Sequence, residues 1–237
     1  MRVILLFVFL ILLTVPVEAQ IARNSLKKGA AAANVGNYAE ALQQYQKSLA
    51  QLEKTGEPSN DLLAKTHYNI GVCFYHLNQS AKAIEEYRRS IKLQPTYQKV
   101  FRAKAMAEIE LKDLRAARED FESAIRLDPN DGESWFDLAL VLTVESNYEQ
   151  AAAAFQNAIN NRTVSSSVAH NNLGVILALK NDFALAEKEF EKSLSESNGA
   201  FAIARNNLEF CRAWRNGANR ETLAKFEFDL QNQNNRR

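Results

Sequence analysis

Enzymatic chemistry needs a base, a nucleophile, a metal-ligating cluster or a phosphate-holding loop, and this sequence supplies few of these parts. Three histidines, His67, His76 and His170, are spread over 237 residues. None belongs to a His-Glu-x-x-His run or to a helically spaced pair, so no metal site is expected. The two cysteines, Cys73 and Cys211, form no Cys-x-x-Cys and are too few for a disulfide framework. There is no glycine-rich phosphate loop and no Gly-x-Ser-x-Gly elbow. Carboxylates abound, but Glu85-Glu86 and Glu187/Glu189/Glu191 read as solvated helix faces. The expectation is a chain with no catalytic residues, no cofactor and no metal.

Composition sets the frame for the elements that would position any site. Apolar residues make up 46% and charged residues 24%, as in ordinary globular proteins. The formal net charge is only +1, which argues against nucleic-acid or anionic membrane-surface binding. Eight glycines and four prolines leave little material for turns, so the chain should be helix-rich.

A period then emerges. Ala83, Ala117 and Ala151 lie 34 residues apart, as do Tyr87, Phe121 and Phe155, and as do His67, Phe101 and Trp135. Another copy follows after 35 residues with His170, Ala186 and Phe190, and an earlier one precedes by 42 with Ala41 and Tyr45. The eight extra residues of the early copy fall at Glu53 to Asn60, where Gly56-Glu57-Pro58-Ser59 reads as loop. Each copy holds two apolar stripes at helical spacing; in the second they are Leu63, His67, Ile70, Phe74, Leu77 and then Ala83, Ile84, Tyr87, Ile91. Pro95 and Pro129 close their copies. Neither helix of such a pair buries its stripe alone, so copies must stack. His67 and His170 share a slot with Phe101 and Trp135 and read as packed aromatics. Cys73 and Cys211 fall in one slot, with Ala31, Ala107, Val141 and Ile176, and read as buried small residues. Four repeats separate the thiols, roughly 30–40 Å at about 8–10 Å per helix layer, too far for a disulfide.

These residues resemble tetratricopeptide repeats. The match is clearest in Ile70-Gly71, Phe74, Ala83, Tyr87, Ser90 and Pro95, and in Leu173-Gly174, Leu177, Ala186, Phe190 and Ser193. The third copy departs at Lys104 and Glu108, and the first at Ser25 and Lys28, where apolar residues are the rule. In the first copy there is no upstream neighbour to cover. The resemblance implies an all-α fold: a right-handed α-solenoid of five helix-turn-helix repeats with a C-terminal capping helix. Its repeats would span 20–55, 64–97, 98–131, 132–165 and 166–199, with loop and helix start at 56–63 and the capping helix at 200–216.

The resemblance also implies a groove lined by the first helix of each repeat. Arg23, Lys27, Lys65, Tyr68, Asn69, Tyr75, His76, Lys99 and Arg102 would face it early in the chain; Glu133, Phe136, Asp137, Asn171 and Asn172 would face it later. Of these, Lys65, Tyr68, Asn69, Tyr75, Lys99, Arg102 and Phe136 are the partner-binding candidates. A basic stretch with interleaved tyrosines suits a protein or peptide with an acidic segment. The plainer reading is a set of solvated helix faces. Charge reversal at both Lys99 and Arg102 is expected to weaken binding without unfolding. The family's chaperone-binding clamp is incomplete, since Leu26, Ala30 and Ala103 replace three of its polar residues beside Asn69 and Lys99. The implied function is non-catalytic protein binding, as a scaffold or assembly factor, with no small-molecule substrate; the alternatives are a membrane-anchored assembly factor of an envelope complex and a regulatory subunit of an enzyme.

The ends carry their own expectations. Arg2, the apolar run Val3 to Val15, Pro16 and Val17-Glu18-Ala19 have the layout of a secretory signal peptide over residues 1–19, cut before Gln20. That implies a periplasmic or secreted protein; an uncleaved membrane anchor is the alternative. Residues 217–237 read as a short helix with Leu223, Phe226, Phe228 and Leu230, followed by a disordered tail. Asn78-Gln79-Ser80 and Asn161-Arg162-Thr163 match the glycosylation pattern and fall in expected turns.

Overall fold

The computed structural model describes residues 17–55, 58–162 and 166–215. The expected short helix and tail after 216, most of the expected signal peptide, and Thr163 of the second sequon lie outside these residues. The described residues form eleven α-helices and no strand. They are α1 (Val17–Asn34), α2 (Tyr38–Leu52), α3 (Asn60–His76), α4 (Ser80–Leu93), α5 (Gln98–Glu110) and α6 (Leu114–Leu127). There follow α7 (Gly132–Val144), α8 (Tyr148–Asn160), α9 (Ser166–Leu179), α10 (Phe183–Glu196) and α11 (Ala202–Arg215). Successive helices pair as hairpins, α1 with α2 through α9 with α10, and each hairpin leans on the first helix of the next. The result is the α-solenoid, closed by α11.

The hairpins form because small residues let large ones through. A Cβ placed on Gly71 would stand 2.5 Å from the Tyr87 ring, and one on Gly174 2.6 Å from Phe190. At these positions the aromatic of the second helix therefore comes close against the first, and Tyr87, Phe121, Phe155 and Phe190 are all fully buried. Ser48, Ser90 and Ser193 each donate a buried or half-buried hydrogen bond across the hairpin, to the carbonyls of Ala22, Ala64 and Ser167 at 2.6–2.9 Å. Side chains of Asn37, Ser59, Asp113, Asp131 and Asp182 accept from backbone amides at helix starts.

Two local expectations need correction. The loop ends as expected, with Ser59 capping α3 from Asn60, and Glu53–Thr55 before it form a 3-10 turn. α1 already includes Val17, ahead of residue 20 where the first repeat is expected to begin, and runs unbroken across Ala19-Gln20. Ala31 is exposed rather than buried like Cys73, because nothing in the described residues packs upstream of α1. The same reason accounts for exposed Lys28, but Ser25 is buried.

Candidate partner-binding groove

The first helices of the second and third hairpins do not close on each other completely. Between α3 and α5 lies a recess of about 570 Å³ walled by Tyr68, Val72, Tyr75, His76, Ala103 and Met106, with the Tyr87 ring among its lining. Lys99 and Arg102 line it from α5, and Asp128 and Asp131 from the turn before α7. Tyr68 is held edge-on to Tyr97 at 5.3 Å and tilted on Tyr87 at 6.0 Å, so its ring is a fixed wall. His76 stacks on Tyr38 at 4.0 Å, tying the first hairpin to the second beside the recess. A smaller recess of about 280 Å³ brings Lys65 and Asn69 together with Leu26, Lys27 and Tyr45. The early groove residues thus divide between two adjoining recesses, with Tyr68, Tyr75, Lys99 and Arg102 in the larger.

The charges differ from the simple basic stripe. Lys99 is exposed and has no ion-pair partner among the described residues. Lys65 is paired with Asp61 at 2.8 Å on the surface. Arg102 is consumed by the next repeat: it meets Asp137 at 2.8 Å and Glu133 at 3.5 Å. Burial works against the Arg102 charge, but Asp137, Glu133 and Asp131 more than offset it, and its proton is held more tightly than usual. Gln98 likewise occupies Asp131 at 2.5 Å.

Of the later groove residues, only Glu133 keeps partial exposure. Phe136 is fully buried, T-shaped on Phe155 at 5.8 Å, so no partner can touch it as the sequence reading supposed. Asp137, Asn171 and Asn172 are buried too, and Asn207 of α11 donates to Asn171 at 2.9 Å. The physical reason is packing: ten residues of α7 and ten of α9, polar ones included, are buried between the neighbouring helices.

Sequence reasoning also missed buried ionic groups on the other side of the hairpins. Glu86 and Glu187 are buried, not solvated. His67 meets Glu86 at 2.6 Å, and His170 meets Glu189 at 2.6 Å, each linking first helix to second in the same register. The 19-residue spacing common to both pairs was the available signal. Burial raises the Glu189 carboxyl, but hydrogen bonds from His170 and Lys192 prevail and hold it below its ordinary value. Cys73 and Cys211 are free, buried thiols, pushed by burial up to about 11, which leaves them unreactive as nucleophiles. No cluster of His, Cys, Asp or Glu among the described residues has the makeup of a metal site. A further recess of about 480 Å³ lies between α6 and α8 over Trp135, Leu138 and Leu142.

Comparison with known proteins agrees with this architecture. Models of the tetratricopeptide repeat match residues 20–96, and 102–167 with 145–201. Sperm-associated antigen 1 of Rattus norvegicus is 32% identical over 93 residues, which is 39% of this chain and 10% of that protein. The human peptidyl-prolyl cis-trans isomerase FKBP4 is 29% identical over 102 residues, 40% of this chain and 22% of that one. The chain therefore spans between a tenth and a quarter of these relatives' lengths. Among solved structures, Pseudomonas aeruginosa pilF superposes with a TM-score of 0.68 at 18% identity, over 88% of this chain and 90% of that one. MamA gives 0.63 at 20%, over 76% and 93%. YrrB, described as having an unusual peptide-binding site, gives 0.63 at 18%, over 79% and 92%. Identities this low speak to the fold alone.

Proposed function

Since the chain belongs to the tetratricopeptide-repeat family, we propose that it is a non-catalytic protein-interaction scaffold or assembly factor. It holds an extended partner segment in the recess between α3 and α5. The observation that carries this reading is the recess itself: fixed tyrosine walls for apolar or aromatic side chains, and at its edge an exposed Lys99 whose charge no neighbour takes up. An acidic residue on the partner would meet that charge, while Asp128 and Asp131 would repel acids further in. The peptide site that YrrB's description mentions supports the mode of binding, not the identity of the partner.

The layout of residues 1–19 supports work outside the cytoplasm, in the periplasm or secreted. A second reading, a membrane-held assembly factor with an uncleaved leader, is favoured by the unbroken run of α1 across Ala19-Gln20. Amino-terminal sequencing of the mature protein decides between them. Crosslinking in the native compartment with mass spectrometry would identify the partner. Lys99→Glu is then expected to weaken that complex about tenfold with the melting temperature unchanged. Undiminished binding moves the site elsewhere.

A further inference from the structure

Among the described residues the apolar core of the solenoid is continuous except at one place. Phe74 packs against the core of the first hairpin and that of the second. Leu177 does the same between the core of the third to fifth hairpins and that beneath α11. Among the described residues no side chain is shared where the second core meets the third, although both draw residues from α5. At that point the repeat pattern is broken. The slots filled by Ile70 and Phe74, by Leu138 and Leu142, and by Leu173 and Leu177 hold Lys104 and Glu108.

The replacement is an unbalanced buried cluster. Lys104 Nζ donates to Glu108 Oε1 at 2.6 Å and makes a second short contact to Asp120 of α6. The three side chains are only 13, 4 and 14% exposed. One cation thus serves two carboxylates, and Glu108 Oε2 is buried with no hydrogen-bond partner. From α4 the repeat register adds Arg88 and Lys92, since the residues 34 positions later, Glu122 and Arg126, wall the matching floor over α7. Arg88 is turned to the surface and paired with Glu85 at 3.5 Å. A buried charge without full compensation is costly, and neutralising it is the cheapest relief.

We propose that the junction of the second and third hairpins is a pH-sensitive seam, tight when the Lys104–Glu108–Asp120 cluster holds a proton and looser when both carboxylates are charged. Burial pushes the Glu108 carboxyl up to about 7, Asp120 adds to the push, and Lys104 opposes it. A carboxyl raised in this way favours the folded seam when neutral. Its support is therefore lost as pH rises from near its ordinary 4.5 through about 7. α5 also carries Lys99 and Arg102 into the recess, so the seam lies behind one wall of the groove. The seam does not depend on whether that groove binds a peptide.

Hydrogen exchange of the α4 and α5 amides in the full chain tests this, with wild type and Glu108→Gln compared at the same pH. The protection ratio, variant over wild type, is expected to rise roughly tenfold or more between pH 5.5 and pH 8, a unit of pKa being a factor of ten. Any pH-independent effect of the substitution cancels in that rise. The triple variant Lys104→Leu, Glu108→Leu, Asp120→Ala copies the fourth repeat's Leu138, Leu142 and Ala154, and is expected to show the same rise. A ratio that stays constant across that range in Glu108→Gln would overturn the seam.

Discussion

Lys112 has a φ of 63° and Ser146 one of 60°, in the turns that join first to second helices. The corresponding turns elsewhere hold Gly36, Asn78 and Asn181, residues that enter the left-handed region cheaply. A lysine or serine there strains its Cβ against the backbone. Lys112→Gly and Ser146→Gly are each expected to stabilise by about 1 kcal/mol and raise the melting temperature by about 2–4 °C, measurable by thermal denaturation. The recurrence of these turns was legible in the sequence as interruptions of the stripe. Their backbone sign was not, because lysine and serine carry no mark of it. The pairing of His67 with Glu86 left only its 19-residue spacing, repeated in His170 and Glu189, as a mark, since an amphipathic pattern counts glutamate as surface.

At the level of the helix pair, the small residues are what allow contact. Ala117 and Ala151 are fully buried where α6 meets α5 and α8 meets α7. A guanidinium at either position would have to separate the hairpin or bury a charge. Ala117→Arg and Ala151→Arg are each expected to abolish the cooperative melting transition or lower it by more than 10 °C, well beyond an ordinary surface substitution. Helices and their order were readable because a 3.6-residue stripe has one common cause, burial of one face. Whether α7 shows Phe136 to the groove was not readable, because its burial follows from how α7 packs between its neighbours and not from a stripe in the sequence.

Across the whole molecule, the tie between the third and fourth repeats alters how the groove should be probed. Reversing Lys99 together with Arg102 no longer separates binding from folding, because Arg102 compensates Asp137, which is 1% exposed. Arg102→Ala is expected to lower stability by about 2–3 kcal/mol, seen as a shifted denaturation midpoint, with part of the loss recovered in the double variant Arg102→Ala, Asp137→Asn. Lys99→Glu remains the substitution that reports on binding. That Lys99 keeps its charge unpaired among the described residues is visible only once every neighbouring acid has been placed.

From its residues alone the chain determined the repeat length, the helix pairs, their stacking and the small-residue contacts, all consequences of local periodicity and of burying apolar stripes. Tertiary structure alone decided which charges meet. Asp137 lies 35 residues from Arg102, and Asp120 lies 16 from Lys104. Such partners come together across helices, where Coulomb attraction depends on separation in space and not along the chain.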